Sequence, residues 1–416
     1  MSFLQITSLL IVLAGLFGAL NYFFLRLPSA IGILVVSLMA SVVLVGADTV
    51  FPWLGLTAGI REAVGQIAFS EALLEGMLGL LLFAGALHVK VEDLSKQAWS
   101  VALMATVGVL LSTLVAGTAF SWLTGMPLLV ALVFGALISP TDPVAVLGVL
   151  RAANLRRSLE TKIAGESLFN DGVGYVVFLV LAGLAFPGDG GHHGGGWADV
   201  ATLFFQEAVG GAVLGAVLGW LTFRLMRRID DYALEILLSL GLAFGGYELA
   251  VYLHVSGPIM AVVAGLLIGD VGVKYGMSAT TREHLNTFWT IIDEILNAVL
   301  FLLIGIEVFA VAFSLEGLQA GLVSIVIALI ARLTAVAVPI FILKPFVDYP
   351  RDVIPIMTWG GIKGGISVAL ALSLPPGEYT TLILSATYVV VIFSIIVQGL
   401  TIAPLSRRLG RSLDLS

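Results

Sequence analysis

Long apolar runs follow one another along almost the whole chain and are separated by short polar segments. Runs of about 18 or more apolar residues predict membrane-spanning helices, because about 20 helical residues cross the hydrocarbon core of a bilayer. We predict thirteen spans, near residues 3–25, 29–46, 67–87, 98–122, 127–150, 162–186, 200–226, 232–253, 256–270, 288–313, 317–343, 352–374 and 379–405. The first span is expected to be retained rather than cleaved as a signal peptide, since no basic residue precedes it and Arg26 follows it.

The distribution of basic residues fits this set of spans. Of the 20 Lys and Arg residues, all except Arg61, Arg332 and Lys363 lie in alternate loops or in the C-terminal tail. Loops rich in Lys and Arg stay on the cytoplasmic side of a membrane. The alternation therefore predicts a multi-pass cell-membrane protein with an odd number of spans, an outside N-terminus and a cytoplasmic C-terminus.

Composition agrees with a membrane protein. The chain is 59% hydrophobic and 11% charged, whereas soluble domains carry about 25% charged residues. The predicted fold class is an all-α polytopic membrane protein. The lack of cysteine excludes a disulfide framework and thiolate-bound metals. The net charge of −7 gives no indication of nucleic-acid binding, and no cofactor is expected.

Two of the predicted spans contain helix-breaking sequences. The segment "ISPTDPVAV" (138–146) places two prolines inside the fifth span, and "GGIKGG" (360–365) interrupts the twelfth. If spans 1–6 and 8–13 are two copies of one unit, these spans are equivalent and the copies are inverted. Paired interruptions in inverted halves indicate the midplane binding site of a transporter. We therefore expect inverted six-helix repeats whose broken helices cross near the midplane.

The residues at these interruptions have the chemistry of an ion site. Proline removes a backbone donor, and non-helical backbone is tolerated inside a membrane only where it is buried in protein or lines a cavity. Carbonyl groups near Thr141 then become available as cation ligands. Asp142 can compensate the positive end of a half-helix, and Lys363 can compensate a negative end. A merely kinked helix would explain neither charge.

The sixth span contains the polar motif "GESLFNDG" (165–172). Ser167 and Asp171 are one helical turn apart and share a face, with Glu166 and Asn170 beside them. These side chains offer hard oxygen ligands that suit Na⁺, K⁺ or Li⁺. A buried carboxylate that holds either a proton or a cation, but not both, supplies the minimal chemistry of exchange.

Arg332 lies near the middle of the eleventh span and needs an acidic partner if it is buried. Glu166 is the first choice, which leaves Asp171 as the free acid. The alternative is that Arg332 extends to the membrane interface. The remaining acids in or near spans are assigned mostly to interfacial or packing roles; they are Glu71, Glu75, Glu207, Glu235, Glu248, Asp293, Glu294 and Glu307.

Four motifs together resemble the NhaP-like, sodium/hydrogen-exchanger branch of the monovalent cation/proton antiporters. They are "SPTDPVAV" (139–146), "GESLFNDG" (165–172), "LIARLTAV" (329–336) and "GGIKGGISVAL" (360–370). The resemblance covers essentially the whole chain and implies thirteen helices, an inverted six-helix repeat and a homodimer. It implies a dimer domain, a moving core domain and a linker helix. We assign the dimer domain to residues 1–97 and 232–315. We assign the core domain to residues 98–186 and 316–416, and the linker to residues 187–231.

The resemblance also implies a function and a site. Members exchange Na⁺, or Li⁺ or K⁺, for H⁺ by alternating access. Asp171 would carry the ion, with help from Ser167, Glu166 and the Thr141 carbonyl and with Asp142 nearby, and Glu166 would pair with Arg332. The Asn170–Asp171 pair resembles that of the electroneutral branch. Members usually have Arg where this chain has Lys363, which keeps the charge but removes any bidentate contact.

Other functions predict other sequence features. A K⁺-selective antiporter remains an alternative, because both cations take oxygen ligands. A cation channel would have a re-entrant pore loop or a carbonyl filter, and a membrane enzyme would have a nucleophile or a metal cluster. A symporter of organic anions would place cationic groups at the site rather than acids. The expected partners are a second copy of the chain and membrane lipid.

Overall fold

The structure is a computed structural model that describes residues 3–51, 53, 76–142, 157–186, 197–307, 315–377 and 379–413. Helices make up most of these residues. They are α1 Phe3–Leu20, α2 Ser29–Val50, α3 Leu78–Leu87, α4 Val91–Lys96, α5 Ala98–Thr124, α6 Leu128–Leu137, α7 Arg157–Ala185, α8 Trp197–Met226, α9 Tyr232–Tyr252, α10 Gly257–Gly272, α11 Ala279–Ile306, α12 Leu315–Leu343, α13 Val353–Trp359, α14 Gly365–Leu372 and α15 Thr380–Leu409.

Nine of the helices in the described part of the chain are long and apolar enough to cross a membrane. These are α1, α2, α5, α7, α8, α9, α11, α12 and α15, and α3, α6 and α10 are shorter apolar helices. The predicted all-helical membrane protein is therefore confirmed. Parts of four predicted features lie outside the described residues: the start of the third span, residues 143–150 of the fifth, residues 308–313 of the tenth, and the loop 187–196.

Two helices begin earlier than the hydrophobic pattern predicted. Helix α7 is already helical at Arg157, where this described stretch begins, whereas a start near residue 162 was predicted; α11 starts at Ala279 instead of near residue 288. At α11 the Ser278 hydroxyl accepts a hydrogen bond from the Thr281 backbone N–H at 3.3 Å and caps the helix. The first turns of α11 are polar, so hydropathy alone does not detect them.

The chain is non-helical at both predicted interruptions, as far as the described residues reach. Helix α6 ends at Leu137, and the chain is non-helical through Asp142, where this described stretch ends. In the twelfth span, α13 ends at Trp359 and α14 begins at Gly365. The two non-helical segments touch, because the Asp142 backbone N–H donates to the Ile362 carbonyl at 2.8 Å. This bond satisfies one backbone N–H and one backbone carbonyl that make no helical hydrogen bond.

Buried apolar side chains form three clusters around these segments. One cluster is built mainly from α5, α6, α7, α12, α14 and α15. A second is built mainly from α3, α8, α9, α10 and α11, and a third joins α1, α2 and α11 to α13 and α15. The broken segments lie beside the first cluster and face α3 and α11 of the second across a cavity.

Candidate ion-binding site

Glu166 on α7 and Arg332 on α12 form a buried ion pair. Arg332 Nη1 donates to Glu166 Oε1, and Nη2 donates to Oε2 at 2.8 Å. The guanidinium is planar, so it meets both carboxylate oxygens at once, which is the strong bidentate form of this interaction. The expected ion pair is therefore present in the structure, and both oxygens of Glu166 are occupied by it.

Arg332 also fixes the end of the broken helix. Its Nε and Nη2 donate to the Met357 carbonyl of α13 at 3.2 and 3.1 Å. A Cβ atom added at Gly361 would overlap the Arg332 side chain. The glycine therefore allows the guanidinium to lie directly against the broken segment.

Thr141 connects the first broken segment to the polar face of α7. Its backbone N–H donates to Asn170 Oδ1 at 3.2 Å, and Asn170 Nδ2 donates to Thr141 Oγ1 at 2.8 Å. The Ser167 hydroxyl lies 3.0 Å from the same Oγ1. Asn170 thus satisfies a donor and an acceptor of one residue, so it holds the first broken segment against α7.

Lys363 lies at the C-terminal end of α6, and Asp142 lies at the N-terminal end of α14. Lys363 Nζ donates to the carbonyls of Ser139 and Pro140, at 3.0 and 3.3 Å, just beyond the C-terminal end of α6. The Asp142 carboxylate lies against Gly364 at the N-terminal end of α14, where a Cβ atom would overlap it. A cation therefore sits at a negative helix end and an anion at a positive one. Each charge comes from the other broken segment.

Helix α15 supports the second break from the far side. The Ser394 hydroxyl accepts from the Lys363 backbone N–H at 2.8 Å, and Gln398 Nε2 donates to the Trp359 carbonyl at 2.9 Å. Ser394 and Gln398 lie in one π-helical turn, Ser394–Gln398, and bond to each other at 2.5 Å. Such turns often occur at functional sites. Here the turn satisfies backbone groups on both sides of the break.

Asp171 has a different environment from the other charged residues of the site. Its side chain is buried, with 4% of its surface exposed. Its Oδ1 atom is buried and has no hydrogen-bond partner among the described residues. The charges that act on it are those of Asp142 and Lys363. A buried carboxylate oxygen without a partner is costly, so among the described residues this atom differs from the paired oxygens of Glu166.

A cavity of about 450 Å³ reaches this carboxylate. Of the predicted site residues, Asp171, Thr141 and Asp142 line it. The other predicted residues lie behind this wall: Glu166, Ser167 and Asn170 hold it through the contacts described above, as do Arg332 and Lys363. The sequence-predicted residues thus form one connected group, and only some of them face the cavity.

The cavity wall includes residues that the sequence analysis did not assign to the site. Asp293, Glu294 and Asn297 line it from α11, and Ser367 lines it from α14. Asn297 Nδ2 donates to Asp293 Oδ1 at 3.0 Å. Asp293 and Asn297 are one helical turn apart, which is the same spacing that singled out Ser167 and Asp171. That spacing was the available signal, but no break or proline marked this stretch.

The fold and this site define a class of protein. Helices that can span a membrane surround a buried carboxylate, an ion pair and two broken helices, which is the construction of a secondary transporter. A sequence profile described as sodium/hydrogen exchanger, transmembrane, matches residues 8–408. The chain belongs to the sodium/hydrogen exchanger family. The resemblance inferred from the four motifs is thereby confirmed, and so is the expectation of a transporter rather than an enzyme.

Named relatives and a solved structure extend this assignment. The chain is 45% identical to the Na⁺/H⁺ antiporter NhaP of Pseudomonas aeruginosa over 99% of both chains. It is 38% identical to the Na⁺/H⁺ antiporter NhaH of Halobacillus aidingensis, over 86% of this chain and 89% of that one. The structure of the sodium proton antiporter MjNhaP1 from Methanocaldococcus jannaschii superposes with a TM-score of 0.76 at 18% identity, covering 97% of each chain. That structural likeness concerns the fold.

Proposed function

We propose that this protein exchanges Na⁺ for H⁺, one for one, across the cell membrane, and that Asp171 carries either ion in turn. The observation that carries the proposal is the unpartnered, buried Oδ1 atom of Asp171 beside the cavity. A proton or a monovalent cation would satisfy that oxygen, and the two cannot occupy it together. Competition for one carboxylate gives obligatory exchange if the carrier changes its access only when that carboxylate is loaded. The names of the relatives favour Na⁺ over the alternative of a K⁺-selective antiporter.

Charge balance supports an electroneutral cycle. The site contains the carboxylates Glu166, Asp142 and Asp171 and the cations Arg332 and Lys363, so its formal charge is −1 with Asp171 ionised. One proton or one Na⁺ brings the formal charge to zero in either case. Arg332 occupies both oxygens of Glu166, and Asn170 cannot ionise. Asp171 is then the one acid of this group that exchanges its ion.

The position of the cavity supports alternating access. It extends from Asp171 past Asp93 and Glu160 to Lys90. These last three residues lie between predicted spans, in segments that the basic-residue pattern assigns to the cytoplasm. We infer that this conformation is open to the cytoplasm. Movement of the α6–α7–α14 group against α3 and α11 would close this path and open the opposite one. The wall provides acidic side chains that attract cations.

The same proposal includes the architecture. We infer thirteen spans in two inverted six-helix repeats, with the N-terminus outside and the C-terminus in the cytoplasm. Residues 98–186 and 316–416 would form the moving core, residues 1–97 and 232–315 the dimer domain of a homodimer, and residues 187–231 the linker. The first buried cluster is consistent with a core of α5–α7, α12, α14 and α15. No cofactor enters this scheme.

The decisive experiment is exchange in proteoliposomes that contain the purified protein. Asp171→Asn is expected to abolish Na⁺/H⁺ exchange, because an amide can neither bind a proton nor neutralise Na⁺. Glu248→Gln, an exposed acid on α9, serves as the matched control and should retain exchange. Size-exclusion and melting profiles should match for both variants. Substantial Na⁺-dependent proton movement by a folded Asp171→Asn variant would refute the assignment, and absence of exchange by the wild type would refute the function.

A further inference from the structure

Ser367 carries a second oxygen of the cavity wall that has no hydrogen-bond partner among the described residues. Its side chain is 1% exposed, and its Oγ atom is buried without a hydrogen-bond partner among the described residues. Ser367 and Asp171 both line the same cavity. Asp171 and Ser367 therefore each present a buried oxygen to this cavity wall that the described part of the chain does not satisfy.

Local helix geometry does not account for this hydroxyl. Ser and Thr side chains inside helices usually donate to a carbonyl three or four residues earlier. Thr387 does so to Ile383 at 2.7 Å, and Ser373, at the end of α14, does so to Leu370 at 2.9 Å. Ser367 lies in the first turn of α14, directly after the non-helical segment. Its hydroxyl makes no such bond and stays available to a ligand.

The two oxygens come from different parts of the site. Asp171 belongs to the continuous helix α7, whereas Ser367 belongs to the half-helix that follows Lys363. Asp142 lies against Gly364 at the start of that half-helix and compensates its positive end. A cation near Ser367 therefore meets a hydroxyl oxygen in a region whose positive end is already balanced by a carboxylate.

We propose that Ser367 is a further ligand of the transported cation, which its hydroxyl binds together with the Asp171 carboxylate. This inference rests on the proposed function and adds a cation ligand from α14, the half-helix that follows the second non-helical segment. A hydroxyl oxygen is a hard neutral donor that suits an alkali cation. A proton on Asp171 is bound covalently and requires no further ligand, whereas a bound Na⁺ requires several oxygen ligands. Ser367 therefore strengthens Na⁺ binding relative to H⁺ binding and shifts the competition between the two ions.

The test is Ser367→Ala in proteoliposomes, with the Na⁺ dependence of exchange measured at alkaline pH, where protons compete least. Loss of one neutral oxygen ligand is expected to raise the KM for Na⁺ about three- to tenfold, with the maximal rate changed less than about twofold. Ser367→Thr keeps the hydroxyl and should lie closer to the wild type. The stabilisation of the purified protein by Na⁺, followed by melting, should require a correspondingly higher Na⁺ concentration in Ser367→Ala.

Ser324→Ala is the matched control. Ser324 on α12 is fully buried and also unpartnered among the described residues, but it does not line the cavity. Its KM for Na⁺ should equal that of the wild type. An unchanged KM in Ser367→Ala, or an equal rise in both serine variants, would overturn the role of Ser367. If the wild type exchanged no Na⁺, the proposed function would fall, and the Na⁺-dependent melting shift would still decide for or against this ligand.

Discussion

Both carboxylate oxygens of Glu166 accept hydrogen bonds from Arg332, a residue 166 positions further along the chain. The pair joins α7 to α12, and Arg332 continues to the Met357 carbonyl of α13. Removal of either residue would leave the other as a buried, uncompensated charge. The pair therefore positions the helix that carries Asp171 relative to the broken helix.

Glu166→Gln should destabilise the protein more than it alters the chemistry of exchange. Removal of one partner of a buried ion pair costs about 3–5 kcal/mol, so the melting temperature in detergent should fall clearly. Glu316→Gln, an exposed acid on the helix that carries Arg332, is the control and should melt like the wild type. Equal melting temperatures for the two variants would contradict the structural role of the pair.

Lys363→Met should impair both folding and exchange. The substitution removes the donor to the Ser139 and Pro140 carbonyls and the charge at the C-terminal end of α6. Unmet buried carbonyls cost about 1–3 kcal/mol each. Lys363→Arg keeps the charge and the donors, so it should retain exchange. The yield of folded protein and the exchange rate measure the difference. Loss of exchange in Lys363→Arg equal to that in Lys363→Met would show that charge compensation is not the function of this position.

Gly364→Ala should displace Asp142, because the added methyl group would overlap the Asp142 carboxylate. Overpacking of this kind costs about 1–3 kcal/mol, and here it acts beside the ion site. Exchange should fall markedly while most of the protein remains folded. Gly183→Ala on α7 adds a methyl group where no atom lies within 4 Å, and it should leave both properties unchanged. Wild-type exchange by Gly364→Ala would contradict the importance of this contact.

Proton competition at Asp171 predicts a characteristic pH dependence. The apparent KM for Na⁺ should rise about tenfold per pH unit below the pH at which Asp171 is half protonated, and should be constant above it. The exchange rate at fixed Na⁺ should follow a bell-shaped curve, because alkaline conditions deprive the site of protons. Rates over a grid of pH and Na⁺ concentration test both features. A KM independent of pH between about 5 and 8 would rule out simple competition.

Electroneutral exchange predicts insensitivity to membrane potential. A potential acts on a moving charge with about 2.3 kcal/mol per 100 mV, and a one-for-one cycle moves no net charge. Proteoliposomes clamped with K⁺ and valinomycin, with Na⁺ as substrate and internal pH as readout, should give the same rate at every imposed potential. A rate or end-point that follows the potential would show net charge movement and would overturn the one-for-one scheme.

The sequence predicts the helical membrane fold, both broken helices and the Glu166–Arg332 pair. These features follow from local rules: apolar length, prolines and glycines inside a span, and the need of a buried cation for a partner. The contributions of Asp293 and Ser367 to the cavity could not be predicted in this way. Which face of α11 or α14 meets the cavity depends on how distant helices pack, and one helix pattern allows several rotations. The beginnings of α7 and α11 were also missed, because their first turns are polar and, at α11, Ser278 caps the helix.

The exchange of charges between the two breaks has a consequence for biosynthesis. Pro140 and its neighbours bind a lysine that is 223 residues further along the chain. At about 5–20 residues per second, the ribosome makes Lys363 roughly 10 to 45 s after Pro140. During that interval the first half of the protein contains an unwound segment and Asp142 without the partners that the finished molecule gives them. The polar groups of the nascent N-terminal half must therefore be satisfied by water, lipid headgroups or insertion machinery until the second half is made. Only then can the two non-helical segments contact each other.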